Sequence, residues 1–170
     1  PGTPSTEIIE PIFRVPHDNV HLEWSVNEKV AMEVATSAAY SGARSLVTMK
    51  QVGLNVASDP LMSLAYVGVK GGMVIVVADD PGPISSQTEQ DTRAFANFCR
   101  IPVFDPASPE QAFQMVQDAF LYSEKYHTPV ILRPTTRVCH AYASIEFNEN
   151  YCVKPYEGFV KDSSKWVIFP

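Results

Sequence analysis

A glutamate at the head of a helix rich in small residues poses the first chemical question in this sequence. Glu28 stands in the stretch WSVNEKVAMEVATSAAYSGA, residues 24–43. Ala31, Met32, Ala35 and Ala39 follow it at spacings of three, four, seven and eleven, on the same helical face, so the carboxylate borders small apolar side chains. Small residues let a strand or a flat ligand come close. A partly desolvated carboxylate also holds a proton more tightly than a solvated one, which suits it to acid–base work. The same residues have a plainer reading. Ser25-Val26-Asn27-Glu28 fits the S-x-x-E capping box, in which Ser25 caps the helix and Glu28 turns back to its amide. Glu33 points to another face and reads as a solvated side chain.

The other reactive residue types are scattered. His17, His21, His127 and His140 match no triad or metal spacing and read as surface or core residues. Cys99, Cys139 and Cys152 stand far apart without a C-x-x-C pair, so neither a zinc site nor an iron–sulfur cluster can be assembled from them alone. They read as structural thiols of a reducing cytosol.

The elements that must position these groups alternate. Ser45–Met49, Met73–Ala78 and Pro129–Leu132 are short, continuously apolar runs, the pattern of strands covered on both faces of a parallel sheet. Helical stretches are expected at roughly 26–42, 54–67, 91–99 and 109–127. Ser108-Pro109-Glu110-Gln111 opens the last of them as a capping box with proline at the first helical position. The expected fold is α/β, a doubly wound and mainly parallel sheet flanked by helices. Ligands of such sheets sit beyond the carboxyl ends of the strands. Three loops are candidates there: Lys50–Asn55, Asp79–Gln87 and Arg133–Arg137. The second is the longest; it suits a substrate loop and equally an idle connection.

Pro1–Ile9 reads as a loop entering a helix, with Ser5 or Thr6 as cap and no strand before it. The reading therefore expects a piece of a longer chain whose first strand is missing. A helix N-terminus of this kind can hold a substrate carboxylate, or can simply be capped. Residues 1–140 form the expected domain and 141–170 an extended connection toward further domains.

Length and composition narrow the partners. With 170 residues, 45% of them hydrophobic, the chain can build one well-buried core. Its 19 acidic against 13 basic residues give a net charge of -6, which argues against nucleic acid or an anionic membrane as partner. No apolar run approaches the ~20 residues of a membrane span, and PGTPSTEIIE lacks the regions of a signal peptide, so a cytoplasmic location is expected.

PGTPSTEI, together with the long stretch from WSVNEKVAMEV through TMKQVGLN and VVADDPGPISSQTEQDTRAFANF, resembles the N-terminal pyrimidine-binding domain of thiamin-diphosphate-dependent 2-oxoacid:ferredoxin oxidoreductases, most nearly the alpha subunit of their indolepyruvate branch. The likeness runs from residue 1 to about 140 and resumes in GFVKDSSKWVIFP. It implies that Glu28, in the family's NEK segment, hydrogen-bonds N1′ of the cofactor's aminopyrimidine, so that the 4′-amino group can take the proton from the thiazolium C2. It implies that Thr3 contacts the 2-oxo acid and that Gly53 and Leu54 approach the pyrimidine, though a plain turn would use the same glycine. Gln87 lies near where pyruvate-specific relatives use an arginine, which favours a bulkier arylpyruvate, and Arg93 is the alternative contact for the acid.

The family's diphosphate and magnesium site belongs to a second domain with a G-D-G type motif, and neither that motif nor ferredoxin-like cysteine runs occur here. The segment itself is expected to bind no metal and to be silent alone. It would share thiamin diphosphate with a diphosphate-binding domain of the same or a neighbouring subunit, in a homo- or hetero-oligomer. The expected activity is oxidative decarboxylation of an arylpyruvate to an acyl-CoA thioester, with ferredoxin as electron acceptor and iron–sulfur clusters elsewhere in the enzyme. Two other readings stay open: a non-oxidative 2-oxoacid decarboxylase or carboligase, and a non-catalytic binding or assembly module of the same fold.

Overall fold

The computed structural model describes residues 2–16, 18–146, 155–156 and 158–167. Its organising element is β2 (Met73–Ala78), six apolar residues that are all buried. Successive side chains leave a strand on opposite faces. Met73, Ile75 and Val77 therefore join one core cluster while Val74 and Val76 join another. Two apolar faces demand two covering layers, and the chain supplies them.

All the pairing is parallel. β1 (Ser45–Lys50) lies beside β2 from Ser45↔Met73 to Lys50↔Ala78, and β4 (Val130–Leu132) lies on the other side of β2, with β3 (Val103–Phe104) beyond it. The order is β1-β2-β4-β3. One face is covered by α2 (Glu28–Tyr40), α3 (Gln51–Val67) and α4 (Thr92–Cys99), through Met32, Ala39, Leu54, Leu61 and Ala96 among others. The opposite face is covered by α5 (Pro109–Tyr126) through Ala119, Val116 and Phe120, with Ile8 of α1 (Thr6–Phe13). This is the doubly wound α/β architecture that the continuous apolar runs predict. β3 was not expected from the sequence: it is two half-buried residues, too short to leave a pattern.

Three local expectations need correction. The cap of α2 is Asn27, whose side chain accepts the Val30 amide at 2.9 Å, whereas Ser25 donates to Glu23 at 2.9 Å. The cap is thus displaced by two residues, with no reciprocal side-chain bond because its third residue is Val30, and Glu28 becomes the first helical residue instead of the one that folds back. Lys50–Asn55 is not a loop, because α3 starts at Gln51 directly after β1, so Gly53 and Leu54 are helical. The tail expected to be extended contains α7 (Ser163–Trp166), and Trp166 packs on Tyr40 of α2 with ring centroids 4.8 Å apart. By contrast α5 begins as its sequence predicts, with Ser108 accepting the Gln111 amide and Pro109 in the first turn.

The return from α3 to the sheet depends on Gly68. Its φ is 78°, and a Cβ there would lie 2.4 Å from the carbonyl oxygen of His127, which accepts the Val69 amide at 3.0 Å. Only glycine meets both demands. A four-residue helix, α6 (Thr136–Cys139), follows β4.

A candidate cofactor and substrate site at the carboxyl end of β1

Glu28 and Gly53, far apart in sequence, meet where α2 crosses the start of α3. A Cβ built on Gly53 would lie 2.7 Å from Glu28 Cγ and 2.8 Å from its Oε1, closer than real carbon contacts allow. The glutamate side chain therefore rests on the bare Cα of the glycine. Because Asn27 performs the capping, the Glu28 carboxylate is not consumed by its own helix. It is half-buried, and it makes no hydrogen bond or ion pair among the described residues. Of the small residues expected to border it, Met32, Ala35 and Ala39 are buried in the core, while Ala31 is partly buried and packs against that core.

Lys50 and Gln51 continue this site across the junction of β1 and α3. Lys50 is half-buried, and a Cβ on Gly2 would lie 3.5 Å from its Cε and 3.6 Å from its Nζ. Gln51 is 1% exposed; its Nε2 donates to the Thr88 carbonyl at 3.1 Å, while its Oε1 has no hydrogen-bond partner among the described residues. The Thr48 hydroxyl, two residues before Lys50, is likewise buried without a partner. Thr3 is half-buried, and its carbonyl accepts the Ser85 hydroxyl at 3.2 Å, which ties the N-terminal turn to the loop after β2. Ser5 does not cap α1 through its side chain; its hydroxyl donates to the Gly2 carbonyl at 2.8 Å and tightens the same turn.

The loop after β2 is fixed by two buried aspartates that the sequence reading passed over. Asp79 accepts the amide of Thr92 at 3.0 Å, the hydroxyl of Thr92, and Nε of the buried Arg133 at 2.7 Å. Asp80 takes the Thr136 hydroxyl on one oxygen at 2.7 Å. Its other oxygen takes the amides of Ile84, Ser85 and Ser86, at 3.0, 2.8 and 2.8 Å. Burial by itself would raise the pKa of Asp80, but the Thr136 hydroxyl and the three amides outweigh it and bring the carboxyl down to about 2. Two aspartates closing an apolar strand were the available signal, since a carboxylate at that depth needs dedicated donors.

The remaining candidates are dispersed. Leu54 is 3% exposed and its side chain belongs to the core cluster, next in sequence to Gly53. Gln87 is exposed on the loop after β2. Arg93 is held elsewhere: its guanidinium binds Asp91 at 2.7 Å and Asp105 at 3.4 Å, at the β3 side of the sheet, opposite to β1. Its hydrogen bonds hold the Asp91 carboxyl down to about 2. Of the histidines, His21 lies 3.1 Å from Glu23 and His140 3.6 Å from Glu7, and His127 ends α5; His17 and Cys152 lie outside the described residues. Cys99 and Cys139 are free thiols, and burial pushes Cys139 up to about 12. Among the described residues no group of three or more His, Cys, Asp or Glu could hold a metal ion, and no helix is long and apolar enough to cross a membrane.

A cavity of about 1150 Å³ runs along the outer edge of β1, between α1, the segment 19–27 and α2. Glu28, Ala31 and Ala35 line it from α2, and Leu46 and Thr48 from the strand. The carboxylate thus stands beside a largely apolar cleft.

This fold has counterparts. A family model, POR_N, "Pyruvate flavodoxin/ferredoxin oxidoreductase, thiamine diP-bdg", matches residues 1–162, and the chain belongs to that family. The chain is 47% identical over 169 residues to "Indolepyruvate oxidoreductase subunit IorA" of Methanothermobacter marburgensis, a match covering 99% of this chain and 27% of that one. It is 52% identical over 150 residues to the subunit of the same name from Pyrococcus abyssi, covering 88% and 23%. The chain spans about a quarter of the length of these curated relatives. Among solved structures it superposes on "2-oxoglutarate:ferredoxin oxidoreductase from Magnetococcus marinus with 2-oxoglutarate, coenzyme A and succinyl-CoA bound" with a TM-score of 0.69, over 82% of this chain and 26% of that one. At 21% identity that likeness speaks for the fold alone.

Proposed function

We propose that this chain is the pyrimidine-binding part of an oxidoreductase that converts an arylpyruvate of the indolepyruvate type and coenzyme A into an acyl-CoA and carbon dioxide, passing two electrons to ferredoxin. The observation that carries this reading is the Glu28 carboxylate lying uncommitted on the bare Cα of Gly53. The residues suit thiamin diphosphate: a carboxyl group to face a ring nitrogen, a glycine that leaves space against it, and the buried, unpartnered oxygens of Gln51 and Thr48 nearby. When bound, that cofactor supplies an electron sink for decarboxylation once its C2 has lost a proton.

The chain's own contribution is to hold and move one proton. Glu28 donates it toward the pyrimidine N1′ and takes it back, and Gly53 fixes where the carboxyl group stands. Thr3, on its turn pinned to Ser85, faces the 2-oxo acid, with Gln87 at the rim of the substrate space. The names of the relatives, at 46–52% identity, favour the indolepyruvate type. The reading extends to the rest of the enzyme: a diphosphate-binding domain carrying magnesium, iron–sulfur clusters, a second subunit, and the cytoplasm as the place of work. Reduction of ferredoxin or a viologen by the full-length enzyme with arylpyruvate and coenzyme A tests it, together with Glu28→Gln. Wild-type C2 proton exchange in that variant would defeat the assignment.

A further inference from the structure

We propose that the ammonium group of Lys50 binds the carboxylate of the 2-oxo acid and sets its orientation in the site. The proposal rests on the reading of the chain as part of a 2-oxoacid oxidoreductase, and it starts from the charges at the carboxyl edge of the sheet. Arg133 is committed to Asp79 at 2.7 Å and Asp105 at 3.2 Å, and Arg93 to Asp91 and Asp105. Lys29, beside Glu28, pairs with Asp59 at 2.8 Å, and Arg137 is exposed beyond β4, across β2 from the candidate site. Lys50 is different. No acidic group among the described residues lies within ion-pairing distance of it, although it is half-buried at the last position of β1.

Its surroundings specify the anion. A Cβ built on Gly2 would meet both the stem and the ammonium at 3.5–3.6 Å, so both occupy the space on the open side of Gly2, next in sequence to Thr3, whose carbonyl accepts the Ser85 hydroxyl. A lysine used only for packing keeps its stem on the protein and turns its head to water; here the head shares with its stem the space that a side chain on Gly2 would enter, 3.6 Å from such a Cβ. The nearby carboxylates of Asp79 and Asp80 are already answered by Arg133, Thr92, Thr136 and three amides, so they make no claim on Lys50. One compact cation in a polar turn matches one carboxylate. A diphosphate would call for several donors or a metal ion.

The test uses the full-length enzyme with phenylpyruvate, coenzyme A and methyl viologen as electron acceptor. Lys50→Met is expected to raise the KM for phenylpyruvate about 10- to 100-fold, the usual loss for a hydrogen bond to a charged group. Its kcat should stay within about threefold, since uniform binding is what is removed. Lys50→Arg, which keeps the charge, should hold KM within about threefold. C2 proton exchange of the bound cofactor, measured without any 2-oxo acid, should remain at the wild-type rate in both. A wild-type KM in Lys50→Met, or C2 exchange falling in parallel with turnover, overturns the proposal. Should the methionine variant not accumulate, Lys50→Gln keeps a polar tip without the charge, and a wild-type KM there overturns it equally. Since exchange is read without substrate, failure of Glu28→Gln to suppress it breaks the cofactor reading separately.

Discussion

The two ends of the sheet's carboxyl edge are built on opposite principles. On the side of β2, β4 and β3, charge is abundant and answered: Asp79 by Thr92 and Arg133, Asp80 by Thr136 and three amides, Asp105 by Arg133 and Arg93. On the side of β1, Glu28, Lys50, the Thr48 hydroxyl and Gln51 Oε1 make no such bonds among the described residues. Buried polar groups are expensive without partners. The first region has the chemistry of a scaffold that shapes a loop, and the second is where the proposed cofactor and substrate would be held. A perturbed titration at Asp80 or Asp91 therefore marks architecture, while the candidate chemistry sits where bonds are missing.

If that contrast holds, substitutions on the two sides should damage different properties. The largest effect belongs to Glu28→Gln in the full-length enzyme: C2 proton exchange and turnover should fall by about two to four orders of magnitude, with unfolding unchanged, as read by NMR exchange and viologen reduction. Asp79→Ala should do the reverse. It leaves the buried Arg133 without its closest partner and should cost about 3–5 kcal/mol of stability in denaturant unfolding. Gly53→Ala sharpens the contrast, because its methyl group must displace the Glu28 carboxyl: turnover should drop about 100-fold in a folded protein, measured by viologen reduction with circular dichroism as control.

The smallest effect is a pH dependence. Asp80 is held down to about 2 in the folded protein, below the ~3.9 of a free aspartate. Its contribution is thus fully present above about pH 4 and is lost as pH falls toward 2. Hydrogen exchange at the amides of Ile84, Ser85 and Ser86 should accelerate through that window, and Asp80→Asn should remove the dependence. Protection of those amides in the wild type that stays constant through the same window would show that the loop after β2 is not anchored by its aspartate.

Local pattern explains how much of this was legible. The continuous apolarity of Met73–Ala78 predicts a two-faced strand, and the Ser108 box predicts the start of α5, because both signals live within one element. The S-x-x-E pattern at Ser25 misled for the same reason: Asn27 competes for the same helix terminus, and only the geometry of the chain entering α2 decides between them. That Arg93 pairs with Asp91 and Asp105 could not be read from local pattern either, since Asp105 lies twelve residues on.

The sequence by itself determined the alternation of elements, the parallel sheet and the place of Glu28 at the head of a helix, since periodicity and helix position are properties of neighbouring residues. The tertiary structure decided which polar groups are spent and which are left over. Whether a charge is answered depends on partners tens of residues away, such as Gly53 against Glu28 or Arg133 against Asp79, and no local pattern encodes such a meeting.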